Sequence, residues 1–176
     1  MRSQLNLSFT TRSGHGLDVC VAPPHQFVVD CQQQLLGWKV PISYLIVVLQ
    51  QSAISLSESN AQVIAEKERL RNQFIHFGSN LIFSLQDLGY VSDLFDPRSG
   101  YPLLAKPHLA IDDNATVKAL LDYPVTEYQQ CSLIRHPLWQ HRVYPSTIAT
   151  SAALNTIETC LRDALSNTIG KSIIKS

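Results

Sequence analysis

The densest run of reactive side chains spans Cys131 to Trp139, with a thiol, a guanidinium (Arg135), an imidazole (His136) and an indole inside nine residues. A thiolate beside a guanidinium is more readily formed and can act as a soft-metal ligand. A Cys–His pair could also do nucleophilic chemistry, provided the two side chains meet. On an extended strand they do not: Cys131, Leu133 and Arg135 point one way, and Ser132, Ile134 and His136 point the other. The same run also reads as a structural β-hairpin, with Cys131 a small core filler, Arg135 in an internal ion pair and Trp139 a packing anchor.

Few other residues suggest chemistry. The sequence has no Gly-x-Ser-x-Gly elbow, no Walker loop and no His-Glu-x-x-His. The run Asp96-Pro97-Arg98-Ser99-Gly100 is turn chemistry, in which Pro presets φ and Gly accepts a positive φ. A buried Arg135 pairing with Asp93 or Asp96 is one expectation; contact of Arg135 and His136 with a partner or ligand is the other. His108 and His141 read as surface or loop residues. Trp38 and Trp139 are interface anchors if exposed and core aromatics if not. The four cysteines (Cys20, Cys31, Cys131, Cys160) form no Cys-x-x-Cys pair and no zinc-finger spacing.

These residues need elements to carry them. Residues 1–16 are polar with two glycines and read as a loose lead-in to a single domain over 17–176. Leu17 to Val21 alternates as a short strand, and Gln26 to Leu36 has near-helical spacing. Ile42 to Leu49 is β-branched and apolar, the pattern of a central strand buried on both faces. Val63, Leu70, Phe74, Phe77, Leu81, Leu85 and Leu88 recur at helix spacing and predict a helix of about 25 residues, capped by Ser59 and closed at Gly89. Tyr90 to Phe95 reads as a strand. Residues 101–127, with three prolines, read as a long and partly irregular connection. Cys131 to His136 and Arg142 to Ala149 read as hairpin-linked strands, and Ala152 to Ile169 as a final helix. The expected fold is α+β with a largely antiparallel sheet, one long helix and two shorter ones.

Composition narrows the function classes. The 176 residues are 45% hydrophobic and only 16% charged, against a usual charged share of about 25%. Fourteen basic and fourteen acidic residues balance to zero net charge, so no basic excess points to nucleic acid or an anionic membrane. Such a surface favours docking or weak self-association into a homodimer. No apolar stretch approaches the roughly 20 residues of a membrane helix, and the first residues lack a secretory core. A cytoplasmic protein with free thiols is expected.

Two segments carry a resemblance. The run from Gly89 through Tyr90, Asp93, Asp96, Pro97, Ser99 and Gly100, followed by Ile134-Arg135-His136-Pro137-Leu138-Trp139, resembles the methylmalonic aciduria and homocystinuria type D protein family. The likeness covers roughly residues 17 to 152, leaving the C-terminal helix beyond it. It implies a nitroreductase-like two-layer sandwich that has lost flavin binding. It also implies a non-enzymatic adaptor in cobalamin (vitamin B12) trafficking. Such an adaptor docks on a cobalamin-processing protein of the type C kind and helps direct the cofactor to B12-dependent enzymes. Cobalamin would be a transient cargo, with no tightly bound cofactor.

In that family a thiolate just before the Ile-Arg-His segment can ligate cobalt. Animal members have two adjacent cysteines there; the ungapped match of the ligand position is Gln130, and Cys131 keeps the second. Cys131 as cobalt ligand, with Gln130, Arg135 and His136 near the cargo, is therefore the site hypothesis. Asp96, Pro97, Gly100 and Trp139 are partner or structural residues. Two other readings compete. A flavin-dependent reductase would need a phosphate-binding loop for FMN that the sequence does not offer. A plain interaction module would tolerate Cys131→Ser.

Overall fold

The computed structural model describes residues 3–106, 108–128 and 131–167. Strands β1 (Leu5–Thr10) and β2 (Gly16–Ala22) pair antiparallel, from Leu5 opposite Val21 to Thr10 opposite Gly16. β1 occupies Leu5–Thr10 of the expected loose lead-in. Its Leu5, Leu7 and Phe9 alternate with Asn6, Ser8 and Thr10, and Leu7 and Phe9 are buried. That two-residue period outweighs the polar composition.

Where the sequence predicts one helix over Gln26 to Leu36, the chain breaks at Cys31 into α1 (Gln26–Asp30) and α2 (Gln32–Leu35). Gln32 ties the second turn to the next segment, since its amide donates to Val40 O at 2.8 Å and accepts from Ile42 N at 2.9 Å. β3 (Tyr44–Gln51) follows and takes the centre of the sheet.

Helix α3 (Ala61–Asp87) has 27 residues and starts one position later than expected. Asn60, not Ser59, is its cap, accepting from Val63 N at 3.0 Å; Asn caps as well as Ser does. Gly89, at φ +90°, turns the chain out of the helix. β4 (Ser92–Leu94) then leads to the connection expected to be irregular, which contains α4 (Asp113–Leu121) and β5 (Val125–Tyr128). The side chain of Asp112 caps α4 by accepting from Ala115 N at 3.0 Å.

β6 (Cys131–Ile134) pairs with β5 in a two-stranded ribbon of its own, not with β7 (Val143–Thr150) as expected. β7 instead enters the main sheet, whose order is β1-β2-β3-β7-β4 with every neighbouring pair antiparallel. The chain closes with α5 (Leu154–Ser166); the last residues of the helix expected over Ala152 to Ile169 lie outside the described residues.

The sheet is covered on both faces. Ile46 and Val48 of β3 face a core built with α3 and α5. Leu45, Val47 and Leu49 face the opposite side, covered by α1, α2, α4 and the ribbon. All five are at most 1% exposed, which is why β3 reads as a continuous apolar run. The architecture is thus α+β with a mostly antiparallel sheet and five helices, in three layers where two were expected. No helix among the described residues is long and apolar enough to cross a membrane.

Candidate functional site

The alternation along β6 holds beyond its end: Ile134 and His136 are buried, while Cys131 and Arg135 are exposed. At His136 the chain turns a corner. His136 and Gln140 exchange backbone hydrogen bonds of 2.9 and 3.0 Å, with Gln140 at φ +55°. Nδ1 of His136 accepts the backbone N–H of Leu138 (3.1 Å) and of Trp139 (3.2 Å). Nδ1 is therefore unprotonated, and Nε2 carries the hydrogen that it donates to Asp18 Oδ2 at 3.0 Å.

The imidazole stacks on the Trp139 indole at 3.9 Å with 8° between the planes, and Tyr123 meets it edge-on at 5.4 Å. Trp139 in turn covers Gly16, whose N–H donates to Gln51 Oε1 at 2.7 Å. Every polar atom of this buried imidazole is spoken for, so His136 locks β6 to β2. Trp139 packs between the His136 imidazole and Gly16.

Arg135 turns away and donates its Nε to Gln140 Oε1 at 2.6 Å. Neither Asp93 nor Asp96 is its partner. Asp93 is buried and accepts the N–H groups of Leu103, Leu104 and Ala105; burial pushes its carboxyl up, and those bonds partly offset the push. Asp96 takes both prongs of Arg71 from α3, at 2.7 and 2.6 Å, and that guanidinium holds its carboxyl below the usual range.

The turn after Asp96 is equally fixed. Gly100, at φ +75°, donates to Asp96 O at 2.7 Å, and Ile111 O leaves no room there for a Cβ. Asp96, Pro97 and Gly100 thus form a structural turn joining α3, β4 and the approach to α4.

Cys131 sits at the outer end of β6 opposite Tyr128. His136 is five positions further along, about 17 Å at 3.3 Å per residue, so the thiol and the imidazole do not meet. Gln130 lies outside the described residues. Cys131 is the exposed thiol; Cys20 and Cys160 are buried, and burial pushes Cys20 up to about 11 and Cys160 upward. Among the described residues no group of three or more His, Cys, Asp or Glu could hold a metal. Any metal at Cys131 would thus bring most of its own ligands.

Both motifs border one cleft of about 1060 Å³. Pro97 to Gly100 form one wall, Ser132 to Ile134 another, and the first turns of α3 and α4 close it with His141 and Tyr144. Asn114 Nδ2 binds Ser132 O at 2.8 Å, so α4 fixes the ribbon as a wall. Asp113 stands at the base of this arrangement, accepting the Thr147 hydroxyl at 2.6 Å, and burial pushes its carboxyl up to about 7. Arg71, Asp113 and Asp18 were missed from sequence. Asp113 fell in the stretch read as irregular. His108 is exposed, and Trp38 is a core aromatic at 9% exposure.

Comparison with known proteins comes from two directions. A sequence model described as methylmalonic aciduria and homocystinuria type D protein matches residues 34–160, which includes both motifs and the cleft walls. The curated "Cobalamin trafficking protein CblD" of Rattus norvegicus is 25% identical over 113 residues, 64% of this chain and 38% of that protein. The protein of the same name from Homo sapiens is 26% identical over 109 residues, 61% of this chain and 37% of that one. The matched stretch is thus well under half the length of either relative.

Proposed function

The chain belongs to the methylmalonic aciduria and homocystinuria type D protein family, and from that premise we propose that it is a non-enzymatic adaptor in cobalamin trafficking. The observation that carries the reading is the mounting of Cys131. An exposed thiol stands at the end of a two-stranded ribbon, beside a cleft bordered by both family-like segments. The names of the curated relatives point to the same role.

In this reading cobalamin is cargo rather than a resident cofactor. A thiolate suits a soft, polarisable metal centre, and an exposed one can reach cobalt still held by another protein. Cys131 approaches cobalt from the ribbon end, while the cleft walls dock a cobalamin-processing protein of the type C kind. Onward delivery would go to B12-dependent enzymes, from the cytoplasm.

The adaptor reading is favoured over catalysis by how the reactive side chains are used. His136 has both nitrogens engaged inside the protein, Arg135 holds Gln140, and Asp96 holds Arg71. The mostly antiparallel sheet backed by one long helix is compatible with the nitroreductase-like fold in this reading.

The test is the visible spectrum of reduced and oxidised cobalamin mixed with wild type and Cys131→Ser, with and without a cobalamin-processing partner. A band shift seen only with wild type is expected. If no mixture shifts, thiolate ligation is removed and only the docking role is left. If the protein also fails to bind the partner, the trafficking reading falls.

A further inference from the structure

On the opposite face of the sheet from His136, the turn between β1 and β2 leans over α3 and encloses a pocket of about 260 Å³. Its lining includes Arg12 and His15 from the turn and Arg69 and His76, two turns apart on α3. Its floor is apolar, formed by Leu17, Val48 and Phe74. No Asp or Glu lines it. In a chain whose charges balance to zero, four cationic or imidazole groups around one small cavity are a local concentration of donors.

The state of those donors matters more than their number. Among the described residues, no hydrogen bond or ion pair engages the side chains of Arg12 or His76. Arg69 is held by Glu66 through Nε and Nη2, both at 2.7 Å, so its direction is set while Nη1 is left over. Glu66 itself is occupied by Arg69, Ser52 and Ala53 and turns away from the pocket. On the turn, Thr11, Ser13 and His15 are linked through hydroxyl and ring-nitrogen bonds of 2.9 and 3.1 Å, which hold the imidazole in place. A guanidinium without a carboxylate partner, lining one small pocket with a positioned guanidinium and two imidazoles above apolar side chains, offers the donor types that bind an oxyanion.

We propose that this pocket binds a small organic oxyanion, a phosphate or carboxylate carried on a short apolar group. Arg12 and Arg69 grip the oxyanion, His15 and His76 complete its donor set, and the Leu17–Val48–Phe74 floor takes the apolar part. The site lies across the sheet from Cys131 and does not depend on the cobalamin reading.

The test uses the whole chain with phenyl phosphate as probe, followed by calorimetry and by the imidazole resonances of His15 and His76. Benzoate, inorganic phosphate and benzyl alcohol serve as comparison ligands. Saturable one-to-one binding of phenyl phosphate is expected, with both imidazole signals moving. Loss of one charge-assisted contact in Arg12→Gln should weaken it at least about tenfold with no change in melting temperature. Inorganic phosphate should bind more weakly for want of the floor, and benzyl alcohol more weakly for want of charge. Benzoate binding tighter than phenyl phosphate would assign the carboxylate form of the same class. The proposal is overturned if neither organic anion saturates, if Arg12→Gln binds as well as wild type, or if benzyl alcohol binds as tightly as the anions. His76→Gln, exposed on α3, provides a second variant with the same expected direction.

Discussion

The indole of Trp139 stands where a side chain at position 16 would have to go. Gly16 opens β2 and Trp139 lies in the corner after β6, so the two residues are matched in size across 123 positions of sequence. Gly16 is glycine for want of space and not for its backbone angle, since its φ is not in the left-handed region. The match fixes Trp139, and Trp139 in turn sandwiches His136 against the sheet.

Gly16→Ala should therefore push the indole off its seat. Overpacking of this kind costs about 1–3 kcal/mol, read as a lower urea midpoint with an unchanged slope. Combining Gly16→Ala with Trp139→Leu should cost less than the sum of the two single changes, because the smaller side chain vacates the contested space.

Replacing His136 by Leu removes the acceptor for two backbone N–H groups and leaves Asp18 without its donor. A fully buried group left unpaired costs about 1–3 kcal/mol and a part-buried one less, so the variant should be clearly destabilised. Asp18→Asn, which can still accept from Nε2, should lose much less. Equal losses in the two variants would mean that the Nδ1 contacts carry nothing.

Asp113 gives stability a pH dependence of unusual sign. Burial raises its folded carboxyl from 3.8 to about 7, so across that window the folded protein holds a proton that the unfolded chain has released. Stability must then fall as pH rises from about 4 to 7 on account of this group. Asp113→Asn keeps an acceptor for the Thr147 hydroxyl and removes the titration. It should match wild type near pH 4 and exceed it by about 1–2 kcal/mol at pH 8, the shift being discounted for partial exposure. Thermal melts at the two pH values check this.

Thiol titration of the native protein with an aromatic disulfide should show Cys131 reacting fastest, ahead of the half-buried Cys31, and Cys131→Ser should abolish that fastest phase. Cys20 and Cys160 are buried with raised thiols and should react only on unfolding. The substitution itself should change stability by no more than about 0.5 kcal/mol, as expected of an exposed position.

What was legible in the sequence follows from how strongly each segment is patterned. β3 and α3 stand out because one is apolar on both faces and the other repeats its apolar residues at helix spacing over 27 residues. α4 hides because only Thr116 and Val117 of its nine residues are buried, too few to show a period. β5 hides for a like reason, with three of its four residues exposed. The face alternation from Cys131 to His136 was readable from spacing alone, and the separation of thiol from imidazole follows from it. The partner of β6 was not readable, since the four residues from Pro137 to Gln140 look like a hairpin loop and act as a corner that ends one sheet and begins another. The partners of Asp96 and His136 were hidden for the same reason that most long-range pairs are: Arg71 and Asp18 meet them only once the sheet and α3 have formed.

The ribbon of β5 and β6 shares no ladder with the five-stranded sheet. Two strands alone are marginal in water, and this pair leans on the body through the Asn114–Ser132 bond, the packing of Ile134 and the His136–Asp18 bond just past the end of β6. Its amides and those of β3 therefore belong to separate opening events in hydrogen exchange, the ribbon's being the cheaper. Cys131 is mounted on a part of the molecule expected to open and re-form before the sheet does, so whatever grips α4 should also govern how long the thiol is held in one place.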